Sequence, residues 1–513
     1  MAETPRLWRF HGGLKLDART ERSTGRPITV LDPPGRLILP LSQHIGEPAE
    51  PVVAVGDHVL RGEPIARPSG MVGAKVHASS SGTVVEIGPH PVPHPSGLAA
   101  PCIVIETDGE DRAWDGYEPM TNYETLNAAA LRARVRAAGV VGLGGATFPT
   151  AIKIGSGTGL KLLILNGAEC EPYISCDDML LRNRPAEVVA GAQVLLHVLE
   201  IGQCAIAIEE NKAAAREALE AAIGRAGEER ISVVTVPAIY PEGGEKQLIK
   251  VLTGEEVPAD GVPPDIGFLC QNVGTAAAVA RAVLYGEPLI SRIVTVTGDG
   301  VAWPRNLEVR LGTPVADLVA ACGGYTEGAA HLLMGGAMMG LPLASDTVPV
   351  VKGTNCIVVA SREEIRPRRP MLPCIRCGEC SRICPAQLLP QQLYWHARAG
   401  ELDRAQDYHL FDCIECGSCD VVCPSQIPLT QYFRYAKTEI WARERDRSRA
   451  EQARRRFEAR RSRVDAEKEA RRRRLDEKSQ ALEQTKDDAE ARRAAVDEVL
   501  ERVKARKRGD DPE

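Results

Sequence analysis

In the middle of the chain, apolar runs alternate with helical patterns. "LKLLILN" (160–166) holds five apolar residues around Lys161 and ends on a polar residue, which reads as a buried parallel strand with Asn166 at its carboxyl end. "CAIAIEE" (204–210) repeats the pattern, the helical "NKAAAREALEAAI" follows it, and "ISVVTVP" (231–237) closes the series. Strands and helices in alternation predict a parallel sheet with crossover helices. Sheets of this kind bind ligands beyond the carboxyl ends of their strands, so the polar residues after position 165 are the first candidates for chemistry.

The pattern changes on either side of this region. Residues 31–107 hold short strands broken by Gly-Asp and Ser-Gly turns ("VAVGDHVLRGEPIA", "KVHASSSGTVVEI"), which resemble the barrel-sandwich hybrid of biotinyl and lipoyl carriers. Lys75 is the one lysine near the hairpin, and a docking or structural module is the favoured reading over a swinging arm. Residues 385–412 carry apolar positions at helical spacing with few β-branched residues, which predicts a helical insert. From Trp441 the chain is mainly Arg, Lys, Glu, Asp and Ala, and a continuous helix there would extend on the order of 100 Å. Phe457 and Val464, then Leu475, Leu482, Ala489, Val496 and Val503, form one thin heptad seam among charged positions. This predicts a solvated helix, either a plain charged extension or one whose basic stretch 443–474 lies along anionic lipid or an acidic partner.

A chain of 513 residues is too long for one core and divides into several domains. Aromatic residues make up only 4%, while 47 Gly and 36 Pro point to a loop-rich α/β protein. The net charge of −6 hides an asymmetry, because residues from Trp441 onward carry 24 Lys+Arg against 19 Asp+Glu, so the tail is basic and the body acidic. Without aromatic interleaving, the basic tail does not predict nucleic-acid binding. The first twenty residues lack the apolar core of a secretory signal, and "GVVGLGGATFPTAI" and "HLLMGGAMMGLPLA" are too short to span a bilayer, so the chain by itself reads as soluble.

Fifteen cysteines without an export signal suit a reducing compartment. Seven (Cys102, Cys170, Cys176, Cys204, Cys270, Cys322, Cys356) lie scattered, mostly among apolar neighbours, as buried structural thiols do. The other eight form "CIRCGECSRICP" (374–385) and "CIECGSCDVVCP" (413–424). Both read C-x2-C-x2-C-x3-C-P, the spacing of bacterial two-cluster ferredoxins, in which the fourth cysteine of each run serves the other cluster. Cys374, Cys377, Cys380 and Cys423 are therefore expected to hold one [4Fe-4S] cluster, and Cys413, Cys416, Cys419 and Cys384 the second. Zinc prefers four ligands in two separated pairs and fits this spacing poorly.

Upstream, "GVVGLGGATFPTAIK" (139–153) spaces Gly142, Gly144 and Gly145 so that backbone can approach a phosphate or a flat ring, with Lys153 to neutralise charge. Thr147 leaves the G-x-G-x-x-G pattern incomplete, and loop geometry alone explains glycines about as well.

Four stretches together, "GLGGATFPTAIK", "NGAECEP", "YPEGGEKQLI" and "CQNVGTAAAVARA", resemble the FMN- and NADH-binding subunit of respiratory complex I. With two ferredoxin-type runs, the layout over residues 7–440 is closer still to the RnfC family of the Rnf (Rsx) electron-transport complex. The resemblance implies that Gly142, Gly144, Gly145 and Lys153 hold the FMN phosphate and ring edge and that Phe148 stacks near the nicotinamide. Asn166, Glu169 and Glu171 would line the isoalloxazine, and Tyr240, Gly243, Glu245 and Asn272 would close the pocket. The chain has Thr147 where the complex I pattern has Gly, Ala168 where it has Asp, and Gly244 where it has Glu, so the NADH side of the pocket has two fewer carboxylates. Residues 292–345 resemble the small β-grasp domain that follows the flavin domain there, a simple spacer being the alternative.

The expected fold is thus multidomain, α/β and α+β. It comprises an N-terminal arm (1–30), a barrel-sandwich domain (31–115), a Rossmann-like FMN/NADH domain (120–290), a β-grasp domain (291–345), a helical two-cluster ferredoxin domain (365–440) and a charged helical tail (441–513). The resemblance implies electron exchange among NAD(H), FMN and two [4Fe-4S] clusters, peripheral on the cytoplasmic side of the inner membrane. The partners it implies are membrane-embedded subunits that move ions and a ferredoxin-like subunit. A soluble cobalamin reductase shares the same layout, and a relay and docking protein without flavin chemistry is the rival of another class.

Overall fold

The run "LKLLILNG" becomes strand β1 (Leu162–Gly167), followed by β2 (Cys204–Glu209), β3 (Ile231–Val236) and β4 (Phe268–Asn272). All neighbours are parallel in the order β3-β2-β1-β4. The computed structural model describes residues 6–157, 159–365 and 370–508, so parts of the expected arm (1–5), ferredoxin domain (366–369) and tail (509–513) lie outside the described residues.

Alternation along the strands builds a three-layer domain. Ile164, Ala205, Ala207, Val234 and Cys270 face Leu248, Ile249 and Val251 of helix α4 (Glu245–Thr253). Leu163, Leu165, Ile206, Ile208 and Leu269 face the larger core, which holds α1 (Cys176–Asn183), α2 (Pro185–Leu199), α3 (Ala213–Ala226) and α5 (Val273–Ala280). Gly191 of α2 lies against the Ala276 carbonyl of α5, where a Cβ would overlap it, so these two helices pack backbone to backbone.

The other modules surround this sheet. The barrel-sandwich part has a four-stranded sheet (Arg36–Pro40, Ala99–Thr107, Gly82–Pro91, His58–Val59) and a three-stranded one (Glu50–Pro51, Pro64–Arg67, Val76–His77). The β-grasp sheet has six strands and takes two from outside 291–345. Thr29–Val30 of the arm forms one edge, and the wholly buried Cys356–Ser361 lies between Ser291–Thr297 and Ala329–Met334. The cysteine-rich part is helical among its described residues, with short helices Glu379–Ile383, Pro390–Ala399, Leu402–Asp407 and Ser418–Val421.

The chain divides into two units, Met1–Tyr435 and Ala436–Glu513. In the second, residues 436–508 are helical, and every residue from Arg443 to Arg508 is exposed, the heptad seam included. Surface pairs such as Arg455–Glu451 and Arg502–Glu498 at i,i+4 stabilise it locally. Among the described residues no helix is long and apolar enough to cross a membrane.

Candidate functional site

The glycine loop is closed at its base and open at its tip. Gly142 N–H donates to the Phe148 carbonyl at 2.8 Å and Thr150 N–H to Val140 at 3.1 Å. Gly144, Gly145 and Ala146 are exposed between these bonds, with Phe148 half-buried. Gly145 has φ +106° and Thr147 φ +49°, so the chain turns through the left-handed region twice, once without a glycine. Leu143 is held at both of its backbone polar groups, its N–H by the Thr275 hydroxyl (2.8 Å) and its carbonyl by Arg292 Nη1 (3.0 Å).

Polar residues at the strand ends meet this loop. Asn272, ending β4, accepts from the N–H groups of Gly274 (2.9 Å) and Thr275 (3.3 Å), which caps α5. A Cβ on Gly144 would lie 3.4 Å from the Asn272 Cβ, so the loop tip sits beside the amino end of α5, where the helix dipole favours an anion. Asn166, next to last in β1, donates from Nδ2 to the Gly243 carbonyl at 2.8 Å. Gly243 approaches the Ala168 carbonyl so closely that a side chain there would overlap it. Lys153 pairs with Glu245 at 2.5 Å, so its charge is already partnered.

The carboxylates are half-buried and committed. Glu169 accepts from the Asp177 (3.0 Å) and Asp178 (3.3 Å) N–H groups and from the Cys176 thiol, which places it at the amino end of α1. Burial, then the nearby Asp177, push its pKa up to about 8. Asp177 is raised chiefly by burial too and accepts from Asn272 Nδ2 at 2.6 Å. Glu171 accepts from the Met338 (2.7 Å) and Met339 (2.8 Å) N–H groups at a β-grasp turn. The Met338 carbonyl in turn lies where a Cβ on Gly417 would be 3.3 Å from it. Tyr240, 3% exposed, donates its hydroxyl to the Cys416 carbonyl at 2.6 Å.

The two cysteine runs are exchanged at their ends. Cys374, Cys377, Cys380 and Cys423 line one cavity of about 530 Å³, beside Trp395. Cys384, Cys413, Cys416 and Cys419 line a second, closed to about 20 Å³, beside Phe433. The loops repeat each other in detail, since Arg376 and Glu415, Gly378 and Gly417, and Gln387 and Gln426 all have positive φ. Arg376 N–H points at Cys374 Sγ and Glu415 N–H at Cys413 Sγ, both at 3.4 Å. The cages differ in depth. Cys377 is exposed, while Cys384, Cys416 and Cys419 are each 7–8% exposed.

A segment absent from every motif joins the cages to the sheet. His11 Nδ1 bonds the Cys384 carbonyl (2.9 Å) and Gly13 N–H donates to Ile383 (3.1 Å), while Leu14 exchanges backbone bonds with Tyr240.

Four family profiles match in succession: the RnfC barrel sandwich hybrid domain (residues 8–110), the Nuo51 FMN-binding domain (135–281), the SLBB domain (293–342) and the 4Fe-4S dicluster domain (370–427). The RnfC of Yersinia pestis bv. Antiqua, a component of an ion-translocating oxidoreductase complex, is 45% identical over 454 residues, covering 88% of this chain and 73% of the relative. The chain belongs to the RnfC family. The RnfC of Pseudomonas aeruginosa is 49% identical over the same number of residues, and that match covers 58% of its length, so the chain spans little more than half of that longer relative. One solved structure, an NAD+-reducing [NiFe]-hydrogenase in the H2-reduced state, aligns over 63% of each chain at 20% identity with a TM-score of 0.42. The chain therefore carries an FMN-binding domain and a 4Fe-4S dicluster domain, together with the barrel-sandwich and β-grasp modules expected from its patterns.

Of the twelve expected flavin residues, Gly142, Gly144, Gly145, Phe148, Asn166, Gly243 and Asn272 gather around the glycine loop and the strand ends, with the Lys153–Glu245 pair on the flank. Glu169 points into the start of α1, and Glu171 and Tyr240 face the β-grasp turn and the second cage. Leu143, Thr275, Asp177 and Arg292 went unnoticed in the sequence. Thr275 and Asp177 follow strand ends and had a positional signal, whereas Arg292 had none.

Proposed function

We propose that this chain passes electrons between NAD(H), FMN held at the glycine loop, and two [4Fe-4S] clusters, as the peripheral subunit of an ion-translocating complex on the cytoplasmic side of the inner membrane. Its partners in this reading are membrane-embedded subunits and a ferredoxin-like subunit. The observation that carries the reading is the bond from Tyr240 to Cys416, because it sets the strand ends beside the glycine loop and the buried cysteine cage in direct contact. FMN when bound supplies the exchange between a two-electron nicotinamide and one-electron clusters.

The residues present fit these groups. The exposed tip at Gly144 and Gly145, beside the capped amino end of α5, suits a phosphate and leaves room for the backbone to approach it. Each cage offers four thiols from two loops, with backbone N–H groups aimed at sulfur, a donor set that suits a cubane. Cys384, Cys413, Cys416 and Cys419 form the inner cage, against Tyr240. Cys374, Cys377, Cys380 and Cys423 form the outer one, where the exposed Cys377 gives a partner access. The route thus runs from glycine loop to inner cage to outer cage.

The test is anaerobic purification of the full chain followed by iron, sulfide and FMN analysis and NADH titration under EPR. Two cluster signals that grow with NADH are expected. Protein that binds iron but takes up no FMN would sink the flavin reading and leave an iron–sulfur relay. Sedimentation with inner-membrane vesicles across salt concentrations tests the location, and no association at any salt would oppose it.

A further inference from the structure

Two buried side chains of the β-grasp domain reach the base of the glycine loop. Arg292, on the strand Ser291–Thr297, donates from Nη1 to the Leu143 carbonyl and from Nε to the Thr354 carbonyl, both at 3.0 Å. Lys352, with no exposed surface, donates from Nζ to the Gly139 carbonyl (2.8 Å) and the Lys75 carbonyl (2.7 Å). Gly139 precedes the loop and Leu143 lies inside it. The contact continues to the far side of the tip, because a Cβ on Gly353 would stand 2.9 Å from Thr147 Cγ2.

The peptide preceding Leu143 is held by α5, whose Thr275 hydroxyl accepts from the Leu143 N–H. The two peptide groups that flank Leu143, between Gly142 and Gly144, are therefore held by side chains of two domains. Neither Arg292 nor Lys352 has a carboxylate within salt-bridge distance among the described residues, and each bonds only backbone carbonyls. Burying such groups is costly, and an apolar contact of equal volume would join the domains more cheaply. The arrangement makes physical sense when the shape of the loop, and the charge beneath it, matter.

We propose that Arg292 and Lys352 are positioning residues for FMN, so that the β-grasp domain sets the form of the glycine loop and places the charge of Arg292 under it. This rests on the flavin site proposed above. Arg292 favours whatever negative charge the bound flavin carries, the more so after reduction, and so raises the flavin potential. Its loss lowers both affinity and potential.

The experiment titrates FMN into deflavinated, cluster-loaded full-length protein by fluorescence, for wild type, Arg292→Met, Arg292→Lys, Lys352→Met, Thr275→Val and the Thr275→Val/Arg292→Met pair. Iron content and cluster EPR of each variant report that the fold is intact. Expected results are a Kd for FMN at least tenfold weaker in Arg292→Met, a several-fold loss in Lys352→Met, an intermediate Arg292→Lys and a lower flavin midpoint potential in Arg292→Met. The Thr275→Val and Arg292→Met losses should be less than additive, because both act through the backbone of Leu143. Iron-replete variants with wild-type FMN affinity and potential would overturn the proposal. Should Arg292→Met lose iron, Arg292→Lys and Thr275→Val decide on the same readouts. Wild-type protein that binds no FMN would instead overturn the flavin site itself, an outcome distinct from equal binding by wild type and variants.

Discussion

The Tyr240 hydroxyl and the Cys416 carbonyl, 2.6 Å apart, join the parallel-sheet domain to the middle of a cysteine loop. Tyr240→Phe removes only that donor. It leaves a buried carbonyl unpaired, which costs about 1–3 kcal/mol of stability. Iron content should stay unchanged, while the inner cluster shifts to lower potential because one hydrogen bond near its thiolates is gone. Redox-poised EPR reads this, and an unshifted inner signal would detach Tyr240 from the cluster's environment.

Cys423 belongs to the second run in sequence and to the first cage in space. Cys423→Ala should remove about half the iron and abolish the signal of the outer cluster, with the inner one retained. Selective loss of the inner signal would show that each run keeps its own fourth ligand.

Gly144 and Gly243 separate binding from folding. A valine at 144 meets Asn272 at ordinary contact distance and points from an exposed loop, so Gly144→Val should cost at most about 0.5 kcal/mol yet weaken FMN binding at least tenfold. Gly243→Ala drives a methyl into the Ala168 carbonyl and should cost about 1–3 kcal/mol, with Tm falling before any ligand is added. Thermal melts with and without FMN distinguish the two.

Glu242 is 1% exposed, and its Oε2 has no hydrogen-bond partner among the described residues. Burial, with Glu209 and Glu210 nearby, raises its carboxyl from 4.5 to about 8. The folded state thus holds a proton that the unfolded state has released between those two values. This contribution is complete below pH 4.5 and is lost as pH rises through 8. Glu242→Gln carries no such proton, so its Tm advantage over wild type should widen from pH 5 to pH 9. A pH-independent difference would mean that Glu242 does not titrate in this window.

Local signals were readable and long-range ones were not. The run 162–167 announced its strand and the two cysteine motifs their loops, because period and spacing act within a few residues. The buried strand 356–361 was not read from the sequence, which placed the β-grasp domain at 291–345, and its parallel partner lies some sixty residues upstream, while the edge strand Thr29–Val30 is too short to show any period. Glu171 stood in a flavin-like motif, yet its oxygen is taken by Met338 and Met339 in another domain. Arg292 reads as one basic residue in a β-strand. Only the packing of two domains gives it the Leu143 carbonyl as a partner.

The bond between His11 and Cys384 spans 373 positions of the chain. A ribosome adding roughly 5–20 residues per second makes the second partner roughly 20–75 seconds after the first. During that interval the arm can already pair with Tyr240 and Val251 but not with Cys384, and the sheet domain has all its own strands well before Cys384 is made. Final closure then joins the oldest ordered segment to one of the youngest. A tag, fusion or chaperone acting on the first fifteen residues would be felt late, when the inner cysteine cage takes its final shape.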